Sequence, residues 1–307
     1  MIEADLWVGL AIAAALAQTA RNATARSLSA QISPALNSWA RFAFCLPFAA
    51  LACAASVASS GLPALPAVFF AFCLLTALAQ LLGNVALVAA FRAGGFGEAI
   101  VFHKLEVVLT AIAGALFFSE LPSDRGVVGI GLCAVGVIAI NLARQTPARR
   151  WQRALHFGRS GSLALLCAVL LVVASFALKE ASRVVSAANG SIPQGAFGAP
   201  VQTLFHTTWM EVALLTVWLA GREPEAFRAV RVHWRRMTWI GSMGFAASMG
   251  WFWAFSLTYV AYVKAIGQLE ALFAVALGIR YLGERTLIPQ IPGVVLVVAG
   301  IAAILLG

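Results

Sequence analysis

The chain is short of charge. Of its 307 residues only 11% are Asp, Glu, Lys or Arg, with 12 acids against 21 bases. An ordinary soluble domain carries about 25% charged residues, and so few could not cover the surface of a globule this size. A soluble secreted or cytosolic enzyme is excluded on that ground. Disorder is excluded as well, because 62% of the residues are hydrophobic and the mean hydropathy is +0.91. Cysteine is sparse and scattered. Cys45, Cys53, Cys73, Cys133 and Cys167 lie inside apolar runs, with no Cys-x-x-Cys pair and no His at metal-ligand spacing. They read as small buried hydrophobes rather than a disulfide framework or a metal site. No cofactor is implied. Ten-residue stretches of strict alternation are also missing, which removes a membrane β-barrel.

What is present is a series of long apolar runs, at about 6–24, 34–56, 65–91, 97–118 and 126–143, then 161–185, 198–220, 238–261, 264–282 and 290–306. A span needs roughly 20 apolar residues, and lipid offers the backbone no partner, so each span must be helical. The expected fold is an all-α polytopic membrane protein with ten transmembrane helices. The first run follows acidic Glu3 and Asp5 rather than the basic start of a secretory signal, so it reads as a retained helix. Two polar stretches interrupt the pattern. One is a basic linker from Arg144 to Arg153. The other, Arg222 to Met237, carries Phe227, Val230 and Trp234 at helical spacing, as a short helix in the headgroup region or a solvated loop would.

The chain repeats itself. Shifted by 164 residues, 98–143 lies on 262–307 without a gap, and 10 of 46 positions are identical. Leu105/Leu269, Glu106/Glu270, Gly114/Gly278, Glu120/Glu284, Gly129/Gly293 and Gly136/Gly300 are among them. Pro34 and Pro200 open the second and seventh runs at nearly the same offset, which extends the duplication over the whole chain. The halves are therefore 1–143 and 161–307, joined by the linker 144–160. Five spans per half is an odd number, so the second copy enters the membrane upside down. Two inverted five-helix repeats are the architecture of secondary transporters, with the site near the midplane.

Basic residues set the orientation. With loops alternating sides, 15 basic residues fall on one side and 4 on the other, Arg21 counting among the 15 and Lys264 among the 4. The positive-inside rule puts the linker in the cytoplasm and both termini outside. The net charge of +9 is then a topology and anionic-lipid signal, with no nucleic-acid partner implied.

Ionisable groups within spans point to function. Glu106 and Glu270 sit near the centres of their runs and are related by the repeat. Such carboxylates could bind a cation or exchange a proton for substrate; alternatively they pair with a neighbouring cation. His103 shares a helix face with Glu106, three residues away. Lys104 points elsewhere, and Gln268 stands at its position in the second repeat, so the halves differ where a polar substrate would be gripped. Arg41 and His206 fall at almost equivalent positions, with Glu211 just beyond. Gln80 and Asn84 form a polar stripe. Trp251, near Trp253, could cage an organic cation or simply pack. Gly83 and Gly250 are hinges or close helix contacts. Glu120 and Glu284, at helix ends, read as structural.

Two sets of five helices, with the turns Ser119-Glu120-Leu121-Pro122 and Leu282-Gly283-Glu284-Arg285-Thr286 before a glycine-rich last helix, resemble the EamA-like branch of the drug/metabolite transporter superfamily. The resemblance implies a ten-helix inverted-repeat carrier of small metabolites, amino acids or drugs, often outward, with a central cavity lined by both halves. It also implies cytoplasmic termini, against the charge count, and family members often lack a glutamate in both central helices. The expected activity is secondary transport of an amino acid, amine or organic cation across the cytoplasmic membrane by alternating access, coupled to protons or another ion. A polytopic membrane enzyme is the alternative, though the loops hold no His-Glu-x-x-His and no phosphate loop. A flippase for a lipid-linked substrate is the other.

Overall fold

The computed structural model describes residues 2–28, 31–93, 102–143, 158–190, 195–273 and 288–306. The linker 144–157, Glu284 and the turn 282–286 lie outside the described residues. Helices account for nearly all the rest, and no strand occurs among the described residues. Every apolar run holds helix. They are α1 (Ile2–Leu28), α2 (Pro34–Ala43), α3 (Leu46–Ser60), α4 (Ala67–Ala93), α5 (Glu106–Phe117), α6 (Asp124–Ala143), α7 (Arg159–Ala188), α8 (Gly195–Arg222), α9 (Arg228–Leu257), α10 (Val260–Gly267) and α11 (Ile291–Leu305). Helical residues also occur at 102–104 and 269–273. Among the described residues, Pro34–Ser60, Ala67–Ala90, Asp124–Ala143 and Arg159–Ala188 are long and apolar enough to cross a membrane, and Ile291–Leu305 is apolar but shorter.

Three runs are broken. The second breaks at Phe44–Cys45 because Pro47, without an N–H and with a ring that crowds the preceding turn, cannot continue the helix. The fourth and ninth break at Leu105 and Gln268, which the repeat places one position apart. Two expectations are corrected. Pro34 does open α2, behind an N-cap in which Ser33 Oγ accepts from the Leu36 N–H at 3.2 Å. Pro200, however, lies inside α8, which starts at Gly195. The segment 222–237 is not a separate surface helix either. A 3-10 turn, Pro224–Phe227, runs straight into α9. At 1.5 Å per residue the 30 residues of α9 reach about 45 Å, well beyond a hydrocarbon core of about 30 Å. Its arginine-rich first turns therefore extend past the apolar layer.

The chain divides into two compact units, and neither is a sequence half. One is built from residues 1–78 and 177–257, the other from 79–176 and 258–307. In the first, α1 and α9 pack antiparallel. A Cβ on Gly250 would stand 2.9 Å from Ala14 Cβ and 3.0 Å from Leu10 O, so this glycine serves close approach. Trp251 Nε1 donates to Gln18 Oε1 at 3.1 Å along the same seam. Leu28, Leu36, Leu219, Met237 and Ile240 form a buried cluster where α1, α2, α8 and α9 end or begin. A second cluster joins Phe69 and Cys73 to Ala181, Val185 and Ala199.

In the other unit α6 and α11 pack antiparallel through glycines. A Cβ on Gly129 would meet Gly300 O at 2.5 Å, and one on Gly136 would meet Gly293 O at 2.7 Å. The reverse holds too: Gly293 faces Gly136 O at 2.6 Å and Gly300 faces Gly129 O at 2.6 Å. The Arg125 guanidinium closes the seam by donating to Leu306 O at 2.8 Å, as a cation at a helix C-terminus favours. Two residues past the end of α5, Ser119 is held at a φ of 55°, so that the Glu120 N–H returns to Gly114 O at 2.9 Å. Glu120 then accepts from the Val260 N–H at 2.8 Å, capping the start of α10. Its role in this structure is structural.

Candidate functional site

The break at Leu105 leaves Glu106 as the first residue of α5, and the break at Gln268 follows the last turn of α10, which carries Lys264. Glu106 and Lys264 meet here. Lys264 Nζ donates to Glu106 Oε1, and the Lys264 side chain is only 21% exposed and that of Glu106 13%. Thr110 Oγ1 donates to the Glu106 backbone carbonyl at 2.7 Å, satisfying an acceptor just after the break. Gln268 Nε2 donates to Lys264 O at 3.0 Å, while its buried Oε1 has no hydrogen-bond partner among the described residues. His103 Nδ1 lies 3.6 Å from Cys167 Sγ of α7. Glu106, Lys104, Lys264 and Glu270 all lie within electrostatic reach of the His103 ring.

The structure thus brings together Glu106, Glu270, His103, Lys104 and Gln268. Lys264, which the loop count assigns to the outer side, joins them. Lys264 lies within a helix, because α10 begins at Val260, a turn earlier than its apolar run suggested. The spacing of Lys264 and Gln268, four residues apart on one helix face, was the signal available in the sequence. A carboxylate paired with a neighbouring cation was one of the two readings of Glu106, and the Lys264 contact fits it. Such a pair is held in place by its own burial. Removing one partner strands a charge, at a cost of about 3–5 kcal/mol.

The other site residues lie elsewhere. Gln80 and Asn84 are part-buried on α4. His206 sits in an aromatic nest in the first unit, edge-on to Phe69 and Phe70, and its Nδ1 accepts from Trp209 Nε1 at 3.0 Å. Trp251 stacks on Phe255 and bonds Gln18, so it packs a helix seam. Arg41 lies near Glu211 and Arg21. Arg21 is another surprise, since it is buried in α1 rather than free in a loop.

Residues 5–142 match the model of the EamA-like transporter family, part of the drug/metabolite transporter superfamily. Over those residues, a little under half of the chain, it is similar to the EamA-like family. The match ends one residue before α6 does, so it covers the first five apolar runs. No curated protein matches the chain. Twenty-nine chains of solved structures do. One, titled only "Crystal structure of protein", shares 17% identity at a TM-score of 0.69, covering 98% of this chain and 96% of its own. At that identity the likeness shows a shared fold. The EamA-like family is one of transporters, and the match suggests a transporter of the drug/metabolite type.

Proposed function

We propose that the chain is a secondary transporter that exports a small metabolite by alternating access, with Glu106 and Glu270 as the groups that exchange a proton or an amine. The observation that carries this reading is the buried Glu106–Lys264 pair set at interruptions of two helices. Discontinuous helices place backbone and side-chain groups where substrates and coupling ions bind in transporters of inverted-repeat design. A protonated Glu106 releases Lys264, and an incoming ammonium replaces Lys264 on the same carboxylate. Either event changes the charge of the break without moving a charge through lipid. Glu270 and His103 lie close enough to respond.

The reciprocal contacts of Gly129 with Gly300 and Gly136 with Gly293 support the inverted repeat. A shift of 164 residues exchanges one contact for the other, as a twofold axis between antiparallel helices requires. The same reading makes the protein an antiporter of the cytoplasmic membrane, with both termini outside. The arginine-rich start of α9 would then meet anionic lipid, where Arg235 stacks over the Trp234 ring at 5.5 Å.

Transport by proteoliposomes carrying an imposed pH gradient tests it. Glu106→Gln and Glu270→Gln should each abolish the dependence of rate on the gradient and lower uptake at least about tenfold. Unchanged rate and pH dependence in both variants would remove the carboxylates from the cycle.

A further inference from the structure

α10 is only eight residues long, set between extended Tyr259 and the break at Gln268. A helix shorter than about 12 residues is marginal by itself, so its setting comes from what it is fastened to. Ala261, Val263, Ala265 and Ile266 are buried, but apolar burial is non-directional and fixes rotation about the helix axis only weakly. Hydrogen bonds are directional. Those that join α10 to its neighbours include the Val260 N–H on Glu120, Lys264 on Glu106 and Tyr262 on the start of α6.

The Tyr262 hydroxyl accepts from the Ser123 N–H at 3.0 Å and lies 3.4 Å from Ser123 Oγ. Ser123 Oγ in turn accepts from the Gly126 N–H at 3.0 Å, capping the first turn of α6. In a capping box the N–H of the cap residue is taken by a Glu or Gln at the third helical position. That position holds Gly126 here, and a tyrosine from another helix supplies the acceptor instead. The glycine also makes the room. A Cβ on Gly126 would overlap the Tyr262 hydroxyl and stand 2.7 Å from its Cε1 and 2.8 Å from its Cζ.

The place of this contact on α10 gives it a consequence for the carrier pair. At 3.6 residues per turn, Tyr262 and Lys264 are roughly 200° apart around the helix axis. Lys264 reaches α5 from one side, while Tyr262 is pinned to α6 on the other. A directional bond on the far side fixes the rotation of α10, and the rotation decides where Lys264 Nζ points. α6 is a firm base for it. Its glycines lie against α11, and Arg125 ties its first turn to Leu306 O at 2.8 Å. All of these residues lie in the unit built from 79–176 and 258–307.

We propose that Tyr262 is a positioning residue for the Glu106–Lys264 pair. Its hydroxyl, seated over Gly126 and bonded to the Ser123 N–H, sets the rotation of α10 that holds Lys264 on Glu106. Tyr262 serves the carrier cycle proposed above, on which its role in transport rests, by aiming the pair rather than by exchanging a proton. Breaking its contact lets α10 turn and loosens the pair without removing either charge.

Double-mutant cycles in thermal unfolding of the full-length protein in detergent test this role. Lys264→Met, Glu106→Gln and the double variant give the coupling of the pair as the non-additive part of the Tm shift. The same cycle is then built on Tyr262→Phe, Gly126→Ala and Gly131→Ala. Tyr262→Phe removes the bond to Ser123. Gly126→Ala keeps the hydroxyl and improves the helix propensity of α6, but pushes the ring off its seat. Each should lower the coupling by about half or more. Gly131→Ala, with nothing within 4 Å of its Cβ, should leave the coupling intact. A merely structural loss shifts every corner of the cycle alike and does not move the coupling. Full coupling in either Tyr262→Phe or Gly126→Ala would overturn the proposal, and Gly126→Ala decides alone if Tyr262→Phe does not fold. So would an absent coupling in the wild-type background, or an equal loss in Gly131→Ala. The coupling is read without transport. Unchanged transport in Glu106→Gln and Glu270→Gln would therefore remove the carrier cycle and leave the aiming of the pair by Tyr262 to be judged separately.

Discussion

At the scale of single residues, the Glu106–Lys264 pair decides most. Both side chains are nearly enclosed, so neither is held by water. Lys264→Met leaves the buried Glu106 carboxylate with Lys104 as its remaining cationic neighbour. The expected loss is about 3–5 kcal/mol. Adding Glu106→Gln removes the stranded charge, and the double variant should recover most of that stability. Thermal unfolding of the two single variants and the double in detergent measures the coupling. A double variant no more stable than Lys264→Met would mean that the two groups do not depend on each other. Glu106 and Glu270 were legible in the sequence because a carboxylate inside an apolar run is an exception. Lys264 was not, since its register partner in the first repeat is the apolar Ile100 and it lies at the edge of its run. Arg21 was hidden in the same way, near the end of a helix where arginines ordinarily reach out to headgroups.

At the scale of elements, apolar runs forecast where helices lie but not where they stop and restart. The breaks at Leu105 and Gln268 carry no proline or glycine signature of their own. Gly267 precedes the second, but the first follows His103 and Lys104. At the second break the Gln268 side chain itself donates to the backbone, at Lys264 O. The cap from Glu120 to Val260 fixes the start of α10, and the end of α5 that delivers it is turned by Ser119 in the left-handed region. The repeat register places Gly283 opposite Ser119, the residue type that adopts this conformation without cost. The glycines of α6 and α11 were also legible as repeats, although their crossing pattern was not. That pattern separates glycines of one helix. Gly136→Val would drive its side chain into the Gly293 carbonyl and Val297, whereas nothing lies within 4 Å of a Cβ on Gly131. We expect Gly136→Val to cost about 1–3 kcal/mol or more and Gly131→Val to stay within about 0.5 kcal/mol. Thermal unfolding of the two variants side by side checks it. Equal tolerance of both would mean that α6 and α11 are not in backbone contact.

At the scale of the whole molecule, the scarcity of charge turns into a statement about orientation. The basic residues first counted in loops include two that the structure withdraws. Arg21 is buried in α1, and Lys264 is committed to Glu106 within α10. One therefore leaves each side, and the contrast becomes 14 against 3. Only loop residues near helix ends act in the positive-inside rule, so the correction sharpens the bias instead of weakening it. The arginines at the start of α9 strengthen it further. Arg228, Arg231, Arg235 and Arg236 lie beside exposed Val232 and Trp234, a surface of mixed basic and apolar side chains such as anionic headgroups attract. The EamA-like resemblance argues for the opposite arrangement, with both termini in the cytoplasm. Retention of a basic loop against the membrane potential is a local force, whereas a family habit is a correlation, so the charges should prevail. A C-terminal fusion to alkaline phosphatase should be active, and a C-terminal fusion to a fluorescent protein that matures only in the cytoplasm should be dark. Bright fluorescence with an inactive phosphatase would reverse the orientation. It would also place the α9 arginines on the outer face, where a smaller anionic-lipid charge could not account for their number.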